Sequence, residues 1–109
     1  MVTAGSDESQ AAGVRVFVAE RDVAGVTAAR IGDVHRALGA AARRVTTPDH
    51  PVSYLRTIYI PGENRCICMF QAYDAATVAL VNDTAQVPLG LIAESIEFRV
   101  EAAAAAAQP

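Results

Sequence analysis

The stretch VSYLRTIYIPGENRCICMFQA, residues 52 to 72, decides the fold. Two runs rich in β-branched and aromatic residues, VSYLRTIYI (52–60) and RCICMFQA (65–72), flank the turn signal PGEN (61–64) and so predict a β-hairpin. Strand alternation puts Cys66, Cys68 and Phe70 on one face of the second run, with Ile67 and Met69 on the other. The two cysteines raise the functional question, because plain packing, metal ligation and nucleophilic chemistry all use thiols. A disulfide between them is disfavoured, since residues i and i+2 of a strand lie about 6.6 Å apart, at the far edge of disulfide geometry.

Outward from the hairpin, VRVFVAE (14–20) alternates and is β-branched, which predicts a strand. In GVTAARIGDVHRALGAAARRV, Ile31, Val34, Leu38 and Val45 recur at helical spacing and Thr27 is a capping residue, so a helix is expected over 27–45. Pro48 and Pro51 end it. After the hairpin, YDAATVALVNDTAQ reads as a second helix with Asp74 as its cap and Val78, Leu80 and Val81 as apolar positions, and LIAESIEFRV (91–100) as the last strand. The order β-α-β-β-α-β predicts an α+β, ferredoxin-like sandwich: four antiparallel strands in the order 4-1-3-2 with both helices on one face. One domain over 14–100 is expected, between a disordered N-terminal tail (1–13) and the Ala-rich C-terminal tail EAAAAAAQP (101–109).

Composition excludes several roles. With 109 residues, 52% hydrophobic, 19% charged and a net charge of −3, the chain has the makings of a folded core and lacks a phosphate-binding basic surface. Nucleic acid is not an expected partner. No basic n-region precedes an apolar h-region, and no segment approaches the roughly 20 apolar residues that span a bilayer, so a cytoplasmic protein without a membrane partner is expected.

Splitting each strand by alternation gives an expected helix-covered face of Val14, Val16, Val18 and Glu20; of Tyr54, Arg56, Ile58 and Ile60; of Cys66, Cys68 and Phe70; and of Ile92, Glu94, Ile96, Phe98 and Val100. On that reading Glu20, Cys66 and Glu94 converge at one end of the sheet. His35, at the margin of the first helix's apolar stripe, lies level with Cys68. Glu94 sits among apolar strand neighbours, and a buried carboxylate needs a partner, for which Arg56 is the candidate. The expected pocket is therefore lined by Glu20, Arg56, Cys68 and Glu94, with Cys66, Cys68 and His35 as candidate ligands for Ni or Zn. Leu55, Tyr59, Ile67, Met69 and Phe17 would form an apolar patch on the uncovered face, and a homodimer is expected to cover it.

VFVAERDVAG, VSYLRTIYIPGENRCICMFQA and VPLGLIAESIEF resemble successive blocks of a family of small ferredoxin-like domains of long-unknown function that includes an actinobacterial nickel-binding protein. By that resemblance Glu20, Arg21 and Cys68 fall on recurrent positions, Glu94 falls near the closing acidic position, and Cys66 stands where Thr or Val is more usual. The nickel-binding members carry histidines around the second helix and the loop after it, whereas this chain reads VALVNDTAQVPLGL there and has none. The resemblance implies the fold, a dimer and a Glu-Cys pocket. The expected function is a dimeric domain that binds a metal ion or small ligand. The alternatives are a small cofactor-independent enzyme of the dimeric α+β barrel type and a purely structural interaction module.

Overall fold

Seven elements follow one another: β1 (Arg15–Asp22), α1 (Ala28–Val45), β2 (Val52–Ile60), a 3-10 turn (Pro61–Glu63), β3 (Arg65–Ala72), α2 (Ala75–Thr84) and β4 (Leu91–Ser95). They lie within residues 13–88 and 90–98, which the computed structural model describes. Apart from Gly13, the expected tails at 1–13 and 101–109 fall outside the described residues, as does the 99–100 end of the expected last strand.

Local chemistry sets the element ends. Thr27 Oγ1 accepts from the Arg30 amide and caps α1, while Asp74 accepts from both the amide and the hydroxyl of Thr77 and caps α2. The 3-10 turn closes on Asn64 at φ 54, a left-handed conformation that Asn tolerates, and the chain re-enters the sheet at Arg65. The four strands are antiparallel in the order β2-β3-β1-β4, the expected 4-1-3-2 counted from the opposite edge.

Register and burial define the two faces, and they correct three expectations. Rows of cross-strand neighbours on the helix-covered face run Tyr54, Phe70, Phe17, Glu94; then Thr57, Cys68, Ala19, Ile92; then Tyr59, Cys66, Arg21. With Leu38, Ala41, Val78 and Val81 from the helices, Phe70, Cys66, Cys68 and Ala19 form a core closed to solvent.

The β1 face is therefore the opposite of the one expected. Phe17 and Ala19 go under the helices, and Val16, Val18 and Glu20 face away. In VFVA both parities are apolar, so alternation alone carried no phase.

The second correction concerns β2, where the pairing slips between Tyr54 and Arg56. Leu55 is the extra residue of a bulge, and a bulge exchanges the faces of everything beyond it. Thr57 and Tyr59 consequently lie beneath the helices, while Arg56, Ile58 and Ile60 lie on the open side.

Third, β4 ends at Ser95, and Ile96 and Phe98 beyond it are 81% and 91% exposed instead of completing an inner face. The open face is also more polar than expected: Phe17 and Tyr59 leave it, and ion pairs of Arg56 with Glu97 (3.4 Å) and Arg65 with Glu20 (3.2 Å) interrupt its apolar band.

Candidate functional site

A chamber of about 400 Å³ opens at the C-terminal end of β1, between the first turns of α1 and the segment joining α2 to β4. Its walls are Val23, Val26, Ile31, Val34, Val87 and Pro88, with the Cys66 residue, Arg21 and Arg30 among the polar and reactive groups.

Arg21 holds this end of the molecule together. It lies on the helix-covered face opposite Cys66, and its guanidinium donates to the Pro88 carbonyl and to Asn82 Oδ1. Asn82 is buried and serves as a hub: its Nδ2 donates to the Val78 carbonyl at 2.8 Å, and its own carbonyl accepts the Val87 amide at 3.1 Å. Both Arg21 partners are neutral, and among the described residues Arg21 makes no ion pair. Its Nε is buried without a hydrogen-bond partner. An unmet buried donor costs about 1–3 kcal/mol.

The thiols lie deeper. Both cysteines are free and fully buried, with their sulfurs 3.9 Å apart. Burial pushes the Cys66 thiol up to about 11; the neighbouring Cys68 adds to this and the Arg21 charge opposes it. From Cys68 a polar chain runs to the surface. The Cys68 thiol acts electrostatically on the nearby Tyr54 hydroxyl, which bonds Thr57 Oγ1, and Thr57 in turn meets Nδ1 of exposed His35 at 2.7 Å. Tyr54 also packs on Phe70 with ring centroids 4.9 Å apart. Burial first, and then the nearby Cys68 thiol, hold the Tyr54 phenol well above its ordinary range.

These positions disperse the expected pocket. Cys66 and Cys68 are together on the inner face, and His35 is level with Cys68, separated from it by Thr57 and Tyr54. Glu20 contributes to the chamber wall, but its carboxylate is engaged by Arg65. Glu94 stands three residue pairs away, opposite Phe17, exposed and 3.8 Å from Arg15. Arg56 is on the open face with Glu97, so it does not partner Glu94.

Sequence reading passed over Arg30, Asn82 and Thr57. Asn82 had left a signal: Val78, Val81 and Asn82 follow one helical stripe, and a lone amide in an apolar stripe needs partners.

Among the described residues no cluster of three or more His, Cys, Asp or Glu side chains could hold a metal ion. The thiol pair alone offers two donors, short of the three protein ligands of an open zinc site.

Comparison with known proteins fits the fold described above. The family model for nickel responsive protein SCO4226-like matches residues 17–94. The crystal structure of SCO4226 from Streptomyces coelicolor A3(2) superposes with a TM-score of 0.64 at 19% identity, covering 77% of this chain and 99% of that one. No curated protein sequence matches significantly. At that identity the superposition speaks for the fold, while the family match spans most of the domain. The chain belongs to the SCO4226-like family of nickel responsive proteins.

Proposed function

We propose that this chain is a small-ligand-binding domain, working as a homodimer in the cytoplasm, and that its site is the chamber at the end of β1. The chamber itself carries the reading. At about 400 Å³ it falls within the range of ligand pockets, roughly 300–1,000 Å³, and it has their usual make-up: apolar walls and a few polar groups. Leu91, Ile96 and Phe98, largely exposed at the β4 edge, and Ile67 and Met69 on the uncovered face support self-association.

The test is a screen of small apolar and amphipathic compounds by calorimetry against the wild type and Val34→Phe, which fills the chamber from α1. Binding that Val34→Phe abolishes while keeping the fold is expected. Hits that bind the variant equally well would reject the site. Sedimentation at micromolar concentration addresses the dimer, and a monomer would reject that part.

A second reading draws on the family's nickel-responsive description and on the thiol pair. The 3.9 Å between the sulfurs is close to the roughly 3.8 Å edge that two thiolates span around a tetrahedral metal with bonds of about 2.3 Å. Cys66 and Cys68 would be the chain's donors for Ni or Zn, and binding would have to release their protons. Equilibrium dialysis of the metal alone decides this: uptake lost in the Cys66→Ser/Cys68→Ser variant supports it, and equal uptake refutes it.

A further inference from the structure

We infer that the chamber selects an anionic ligand: a small monocarboxylate whose apolar body lies against the valines and whose charge is met by Arg21 and Arg30. This rests on the chamber being a ligand site and adds the ligand's charge class.

Four charged residues line the chamber: Glu20, Arg21, Asp22 and Arg30. Of the two acids, Glu20 is ion-paired and Asp22 accepts a backbone amide while keeping its charge. Glu20 Oε1 is held by Arg65 at 3.2 Å, and Asp22 Oδ1 accepts the Ala24 amide at 3.1 Å. Neither cation makes an ion pair among the described residues. Arg21 has only the neutral Pro88 carbonyl and Asn82 amide oxygen as hydrogen-bond partners. Arg30 makes no ion pair among the described residues and sits in the first turn of α1, which carries no acidic side chain. The positive end of the helix dipole adds to the potential there.

The aliphatic walls are Val23, Val26, Ile31, Val34, Val87 and Pro88. They offer a carboxylate's hydrocarbon tail a dry surface and offer a polyanion or a sugar little. A guanidinium accepts a carboxylate in charge-assisted hydrogen bonds, stronger than those it makes to neutral oxygens.

The experiment titrates hexanoate, 1-hexanol and hexylammonium into the full chain by calorimetry at low salt, with Arg30→Gln as the variant. Arg30 is exposed and its side chain makes no ion pair among the described residues, so the variant is expected to fold. Hexanoate is expected to bind about tenfold tighter than hexanol, as one charge-assisted contact implies, with hexylammonium weakest. Arg30→Gln is expected to weaken hexanoate severalfold and leave hexanol unchanged. Equal affinity for hexanoate and hexanol, or an Arg30→Gln variant that weakens both alike, overturns the charge selection while the chamber stands. Failure of all three probes to bind overturns the chamber reading as well.

Discussion

The sharpest consequence of the buried thiols is slow chemistry with a distinctive pH profile. The Cys66 thiol, ordinarily near 9.0, stands at about 11, chiefly because burial disfavours the thiolate. At pH 7 the thiolate fraction falls from about one in a hundred to about one in ten thousand, a hundredfold loss of nucleophile before access is considered. Access adds to this, because a fully buried sulfur reacts only through opening of the structure. Cys68→Ser isolates the Cys66 thiol; it removes the contribution of Cys68 and leaves the larger one from burial. Iodoacetamide labelling of this variant, followed by mass spectrometry, is expected to be at least a hundredfold slower than in the same chain in urea. An ordinary thiol would level off above pH 9, whereas the Cys66 rate is expected to keep rising to at least pH 10, with circular dichroism confirming that the fold persists. Labelling at pH 7 within tenfold of the unfolded rate, or a plateau below pH 9, would refute both the burial and the raised thiol, and would revive the reading of a cysteine nucleophile.

Two further outcomes follow from the termini of β4 and α2. A Cβ built on Gly90 would lie 1.7 Å from the Glu20 carbonyl oxygen, so Gly90→Ala must push β4 off β1; a loss of at least about 1–3 kcal/mol is expected in urea unfolding, with faster amide exchange at the β1–β4 pairs. The Thr77 hydroxyl, and after it the Thr77 amide, hold the Asp74 carboxyl below its ordinary 3.8. A depressed carboxyl stabilises the fold fully above 3.8 and loses that contribution as pH falls through its folded value, so the urea-midpoint gap between wild type and Asp74→Ala should narrow on acidification. A widening gap would contradict the assignment.

The fold was legible because its signals were local. Thr27, Asp74, the two prolines and PGEN mark element ends through capping and turn chemistry that needs no tertiary knowledge. The site was much less legible. Its expected members were chosen by strand parity, and in β1 Val16, Phe17, Val18 and Ala19 make both parities apolar. Size decides the matter in three dimensions, since Phe17 and the small Ala19 pack under the helices beside Phe70 and Cys68. That single inversion moves Glu20 out of the inner face and brings Arg21 in. β3 escaped the ambiguity because Gln71 and Arg65 mark its other face as polar.

β2 shows a different kind of illegibility, and it yields a test. Tyr54 pairs with Phe70, and Arg56 with Met69, so Leu55 has no partner of its own on β3. Without Leu55 the strand alternates regularly: Val52 and Tyr54 in, Arg56 out, Thr57 and Tyr59 in, with every other pair retained. Deleting Leu55 is therefore expected to cost less than about 2 kcal/mol, the worth of one half-buried leucine's contacts. Deleting Thr57 instead lets the strand regularise only by turning Arg56 inward opposite Cys68, among fully buried neighbours and away from Glu97. An unpaired buried charge costs about 3–5 kcal/mol, and the polar chain from His35 to Tyr54 is lost as well. Paired urea unfolding curves separate the two deletions. Equal destabilisation would mean that the bulge does not set the faces of β2, and that the inward placement of Thr57 and Tyr59 has another cause.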